Sequence, residues 1–286
     1  VLNVSDPLTQ FQSDSFGVYQ LEWIASNGVC PTSSDTVEIV LNKPATSTFA
    51  GPDQNVCGIS AILNADSAEN GIGIWSKISG PGGAVLYSDP NDPHATVTVP
   101  LSSPQPYVFR WTISNSNCPS VSDEVQITFY DSPQAVTAGP DQDVCGLSTA
   151  LNASIVPIGL GAWSIASSPN GSNPAFTNSA DPTTLFLSDS FGTYQLVWTA
   201  SNGPCPETKD TVEIIFNENP ELPNAGIDQG ICGLSTVLDA NIPSVGSGYW
   251  TQISGPGTIV FNDTTNAKAS ITSNSFGAFT LEWKTS

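Results

Sequence analysis

The sequence predicts an all-β protein built as a tandem array of seven-stranded β-sandwich modules set end to end. Three features lead there. The stretch AGPDQDVCGLSTALN from Ala138 returns as AGPDQNVCGISAILN from Ala50 and as AGIDQGICGLSTVLD from Ala225, which puts Cys57, Cys145 and Cys232 88 and 87 residues apart. All seven tryptophans fall into the same frame: Trp23, Trp111, Trp198 and Trp283 form one series, and Trp75, Trp163 and Trp250 the other. Self-similarity at a fixed period is the mark of a repeat architecture. Within a period, short apolar runs alternate with a period of two between clusters of Gly, Pro, Asn and Asp, and no stretch shows helical periodicity, so the modules read as strands and turns.

Taken in order, residues 1–45 are the end of one module, 46–134 and 135–221 are complete modules, and 222–286 begin a further one. The chain accordingly reads as a segment of something longer. About 88 residues is a sufficient size for a domain with its own core. In module 135–221 the alternating runs cover 149–153, 161–165, 183–187, 194–200 and 211–216, and seven short strands is the sandwich count. Trp163 falls in the third strand and Trp198 in the sixth. These two positions are expected to face each other across the core, and the same holds for the other members of both series. Tyr194, just after Phe191 and Gly192, stands where a corner tyrosine begins the sixth strand. Tyr19 and Tyr107 fill that slot in other copies, and Phe279 replaces it in the last, at a cost of about 1 kcal/mol for one lost hydrogen bond. Loops 79–92, 167–181 and 254–267 vary most between copies and are where ligand contacts are expected by position. Linkers 42–48 and 217–223 carry prolines that limit bending.

Composition narrows the function classes. With 26 acidic residues against 6 basic ones the net charge is −20, which excludes a phosphate-binding basic patch and so nucleic acid. No run of 18 apolar residues is present, so no membrane insertion is expected. A single histidine, His94, lies in a loop without a nucleophile at matching spacing, and a repeated module offers no unique constellation of groups. The chain is therefore expected not to be an enzyme and to need no cofactor.

AGPDQxVCG, an SGPG turn, FGxY before a tryptophan, and SNGxCP leading into DTVEI together resemble the PKD-like, immunoglobulin-type repeats of Bacteroidetes surface proteins, among them the giant adhesins of gliding motility. The resemblance covers the whole chain. It implies an immunoglobulin-like fold, export by the type 9 secretion system, and a place on the outside of the outer membrane. Its implied partners are the neighbouring repeats, the secretion and surface-anchoring machinery, and surface polysaccharide or an abiotic surface. Copy 46–134 departs from the pattern with SNSNCPS at 114–120, so its turn is expected to differ locally. Asp35-Thr36 and Asp210-Thr211 resemble the short O-glycosylation motif of such proteins, with Thr36 and Thr211 as the acceptors, and they equally begin a last strand.

The cysteines are placed regularly, which argues for disulfides in an oxidising compartment. Each complete module has one cysteine before its first turn (Cys57, Cys145) and one after its last (Cys118, Cys205). Within one module these ends lie about 25 Å apart, a strand of seven or eight residues, while a disulfide needs Cα atoms within about 7 Å. Across a joint, Cys57 reaches Cys205. The alternative, Cys57–Cys118 with Cys145–Cys205, requires the first strand to kink at Gly51-Pro52. Cys30 and Cys232 are expected to pair outside the segment. Asp53, Asp141 and Asp228, in the repeated GPDQ or GIDQ turn, are candidate Ca²⁺ ligands, or else turn-forming residues.

Two principal roles follow: an adhesin stalk or adhesive filament, and a non-adhesive spacer joining an enzyme or a carbohydrate-binding module to the cell surface. A third is a self-assembling filament or sheath subunit that pairs exposed strand edges.

Overall fold

The computed structural model describes residues 3–45 and 47–286, and every element among them is a β-strand. Contacts divide the chain into two units. The first comprises Val1–Gln134 with Val156–Leu160 and Ala200–Thr208, and the second comprises Ala135–Ile155, Gly161–Thr199 and Lys209–Ser286.

The first unit opens with the antiparallel hairpin β1 (Gly17–Ala25) and β2 (Ser33–Leu41), paired from Gly17↔Leu41 to Ala25↔Ser33. Seven strands follow: β3 (Gln54–Cys57), β4 (Ser60–Ile62), β5 (Ile72–Ser79), β6 (Leu86–Tyr87), β7 (Thr96–Thr98), β8 (Ser103–Ser114) and β9 (Val121–Tyr130). They form a four-stranded sheet in the order β3-β9-β8-β5 and a three-stranded sheet in the order β4-β7-β6. Alternation is cleanest on β8, where Tyr107, Phe109, Trp111 and Ile113 all turn inward and are at most 3% exposed. Leu63, Val97 and Val99 of the smaller-sheet side close the same core. This is an immunoglobulin-like, PKD-like sandwich with its first strand carried over to the larger sheet, parallel to the last.

The pattern returns, mostly in residues of the second unit, as β10 (Gln142–Cys145), β11 (Ser148–Ala150), β12 (Leu160–Ser167), β13 (Ala175–Phe176), β14 (Leu185–Leu187), β15 (Gly192–Ser201) and β16 (Thr208–Asn217). The sheets are ordered β10-β16-β15-β12 and β11-β14-β13. A further five strands, β17 (Ser235–Val237), β18 (Gly248–Ser254), β19 (Ile259–Phe261), β20 (Ser270–Ser273) and β21 (Thr280–Thr285), make the sheets β17-β20-β19 and β18-β21.

The repeated AGPDQ turn explains itself in these contacts. Gly51 has φ +93°, and a Cβ on it would meet the Asn64 carbonyl at 2.7 Å; Gly139 and Gly226 repeat both features, so only glycine fits. The aspartate and glutamine that follow tie this segment to two different strands. Asp53 accepts the Gln126 amide at 2.8 Å from β9, and Gln54 donates to the Ile62 carbonyl at 3.0 Å on β4. Asp141 and Gln142 do the same with Glu213 and Ala150.

Several expectations are corrected. The tryptophans of the two series do not face each other across the core. Trp75 and Trp111 are directly opposed on neighbouring strands of one sheet, with ring centroids 5.1 Å apart, and the pairs Trp163–Trp198 and Trp250–Trp283 repeat the arrangement. The third and sixth strands are adjacent in the larger sheet, so their inward residues stack side by side. Trp23 is not a core residue: it is 45% exposed, because β1 and β2 have no second sheet over them among the described residues. The variable loops are not wholly loops either. Each holds one short strand, β6, β13 or β19, whose Tyr87, Phe176 or Phe261 packs inward. Two- and three-residue strands are too short to show alternation. The corner tyrosines close as the sequence implies: Tyr107 donates to the Leu101 carbonyl at 2.9 Å, Tyr194 to Ser190 at 2.7 Å and Tyr19 to Ser15 at 2.8 Å.

Candidate functional site

The most distinctive chemistry lies in the first unit, where the turn 201–207 meets the end of β9. Parallel pairing of β3 with β9 brings Cys57 opposite Tyr130, so the cysteine ends at the finishing edge of the larger sheet. In the turn leading into β16, the Cys205 amide donates to the Asn202 carbonyl at 3.1 Å. This tight turn presents the 5%-exposed Cys205 to that edge. A disulfide joins Cys57 to Cys205, with Cα atoms 4.9 Å apart.

Polar contacts fix the turn around the bond. Asn202 Nδ2 donates to the Asp131 carbonyl at 2.9 Å, and Thr208 Oγ1 donates to the Gln134 carbonyl at 2.7 Å. Cys205 Sγ lies 3.4 Å from the Tyr130 carbonyl, and Ser132 Oγ is 3.3 Å from Cys57 Sγ. Gly203, at φ +56°, lies against the Tyr130 ring, and a Cβ there would come within 2.5 Å of it.

The same dock recurs earlier in the unit, between the end of β2 and the turn 114–120. Asn115 Nδ2 donates to the Lys43 carbonyl at 2.7 Å, and the free thiol of Cys118 faces the Asn42 carbonyl at 3.6 Å. Cys118 also lines a cavity of about 300 Å³ with Ser13, Phe16, Val40 and Asn117. The expected local difference of the SNSNCPS turn is not seen. Ser116 takes the left-handed conformation at φ 47°, and the Cys118 amide still closes on the Asn115 carbonyl at 3.0 Å.

Within-module pairing does not occur: Cys118 and Cys145 are free, as are the exposed Cys30 and Cys232. Gly51 takes a positive φ of 93°, yet Cys57 does not reach Cys118, because the parallel register sets Cys57 opposite Tyr130, at the far end of β9 from the β8–β9 turn. The docking asparagines were not singled out from sequence. Their signal was available, since Ser-Asn precedes the last cysteine in each of three copies at Asn27, Asn115 and Asn202.

The remaining candidates resolve into local structure. Asp53 and Asp141 spend a carboxylate oxygen on the last-strand amides named above. In return Asp123 and Asp210 accept the Ala50 and Ala138 amides at 2.9 Å each. No group of three or more metal-ligating side chains occurs among the described residues. Asp210, one half of the candidate glycosylation motif, is thus a structural residue, while Thr36 and Thr211 are exposed. The loops bond to themselves: Asp92 accepts the His94 amide at 2.8 Å. The Thr265 hydroxyl and amide, both donating to Asp263, hold its pKa below the usual value. Among the described residues no helix is long and apolar enough to cross a membrane.

No known family profile matches the chain, and no curated protein matches it significantly. Solved structures similar to it include a PKD domain from the KIAA 1837 protein, 23% identical over 31% of this chain and 91% of that one, with a TM-score of 0.26. Murine CEACAM1b is 14% identical over 60% of this chain and 99% of its own, with a TM-score of 0.43. The N-terminal eight immunoglobulin domains of Down syndrome cell adhesion molecule are 11% identical, with a TM-score of 0.36; the match takes 97% of this chain but 47% of theirs, so the chain spans about half their length. At such identities the likeness speaks of the fold alone.

Proposed function

We propose that this chain is a stretch of a secreted, cell-surface repeat protein that serves as an adhesin stalk, bearing load between an anchored end and a binding end without catalysing a reaction. The observation that carries it is the disulfide from the first strand of one repeat to the last turn of the next, seated in a dock built from backbone carbonyls and asparagine side chains. Such a bond persists in an oxidising, extracellular compartment, and its position serves the continuity of the array rather than the stability of one domain. A net charge of −20 suits a solvated surface structure. Gliding motility, type 9 export and surface glycosylation at Thr36 and Thr211 rest on the repeat's resemblance to surface adhesins of that kind.

The stalk reading is favoured over an adhesive one by the loops, which are tied to themselves and contribute strands to the core. It is tested by binding of the purified chain to polysaccharide-coated and bare surfaces, against a variant with the exposed residues of loops 79–92, 167–181 and 254–267 changed to Gly and Ser. A stalk gives equal, negligible binding by both. Loop-dependent binding overturns it and makes the repeats the adhesive surface.

A further inference from the structure

The covalent route along this chain differs from the order of its residues. Cys57 and Cys205 are 148 positions apart in sequence, so tension applied at the two termini runs along β3 to Cys57, crosses the sulfur–sulfur bond, and leaves through the turn into β16. Strands β4 to β15 hang on this route as a closed side loop. We infer that the bond is a length stop: when oxidised, it removes most of two sandwich repeats from the load path, and when reduced, it returns them as extensible length.

The elements left in the path have little slack. β3 and β16 are already extended strands, and an extended chain cannot lengthen beyond about 3.6 Å per residue. What the loop withholds is large, about 500 Å of contour for 148 residues at that limit. Noncovalent unfolding of either bypassed sandwich does not release it, because the bond stays closed whichever strands separate. The asparagine contact is common to both joints, Asn115 on the Lys43 carbonyl and Asn202 on the Asp131 carbonyl, while the bond that makes the stop joins Cys205 to Cys57 and Cys118 is a free thiol.

Forming the bond removes two electrons and two protons from the thiols. A disulfide oxidant takes them up and becomes two thiols, and a dithiol reductant reverses the step through a mixed disulfide. The stalk reading supplies the physiological use of this device, and the mechanics hold without it.

The test is force–extension of the full chain held by its ends, with Cys30, Cys118, Cys145 and Cys232 each changed to Ser so that only Cys57 and Cys205 can pair. Oxidised, complete unfolding should release about 500 Å less than in dithiol reductant, which roughly halves the extension of the 286-residue chain. Steps of about 300 Å, the length of one 88-residue repeat, should appear only after reduction. A Cys57→Ser chain should behave as reduced in both buffers. Equal release in both buffers from a sample whose Cys57–Cys205 peptide pair is confirmed by mass spectrometry overturns the inference, as does a peptide map without that pair. Surface binding leaves the force result unchanged, so failure of the stalk reading and failure of the length stop are read separately.

Discussion

The strands β3 to β9 and the strands β17 to β21 start from nearly the same sequence and reach different structures. In the first set, AGPDQNVC runs into a true strand, β3, held parallel to β9 through four residue pairs. In the second, the sequence stops at Ser286 just after β21, so no counterpart of β9 is present to pair with, and AGIDQGIC forms no strand. The consequences propagate inward. Fifteen hydrophobic residues are buried in the first core and eight in the second, and a cavity of about 510 Å³ opens beside Ile231, Leu238, Ile271, Phe279 and Leu281. Trp111 donates to the Asp66 carbonyl at 3.1 Å, while the buried Trp283 Nε1 has no partner. Gln229 still reaches the Val237 carbonyl at 3.0 Å, because that contact needs only the neighbouring strand. The last strand is therefore what converts the first turn into sheet. The contacts that the AGPDQ turn makes with the last strand, 73 residues on at Asp123 and Gln126, have no counterpart there.

The largest way to break the comparison is to remove one tryptophan from each environment. Trp111→Ala should destabilise β3–β9 by about 3–5 kcal/mol, whereas Trp23→Ala, its exposed counterpart on β1, should cost no more than about 1 kcal/mol. Hydrogen exchange resolved by peptide reads each set separately, and equal losses would show that the two indoles are equally buried in solution. Next comes the aspartate of the turn. Asp53→Ala should cost about 1–2 kcal/mol by orphaning the Gln126 amide, and Asp228→Ala should be silent to within about 0.5 kcal/mol. Phe279→Tyr sharpens the comparison from the other side. Restoring the corner hydroxyl near the unpartnered Ser275 Oγ should stabilise β17–β21 by about 1 kcal/mol, and Tyr107→Phe should cost β3–β9 a similar amount.

A further effect is confined to alkaline pH. Burial raises the Tyr87 pKa from 10 to about 12. The folded state then keeps the phenol proton that the unfolded state gives up, so stability is whole below pH 10 and falls as pH rises from 10 to about 12. Denaturant melts across that range should show the fall in the native chain and a shallower one in Tyr87→Phe. An unchanged slope would mean that the hydroxyl is solvated. The sets with Phe176 or Phe261 in that place have no such group.

Much of this was legible in the chain itself. The 88-residue period, the strands around Trp75, Trp111, Trp163 and Trp198, the corner tyrosines and the regular cysteines all follow from alternation and repetition over a few residues. The short strands β6 and β13 were hidden inside loops, since two residues carry no period. Asp210 reads as the start of a strand, and neither it nor Asp123 gives any sign in sequence of holding the amides of Ala138 and Ala50, some 70 residues away.

By itself the sequence determined the module, its length and its inward-facing residues, because alternation, turn glycines and repeat spacing are local properties. Which cysteine Cys57 meets, whether AGxDQ becomes a strand, and whether tryptophans lie beside or across from one another were decided only in three dimensions. Each depends on which chain ends a parallel first strand brings together, and a sequence that offers the same cysteine in every repeat leaves that choice to the geometry of the joint.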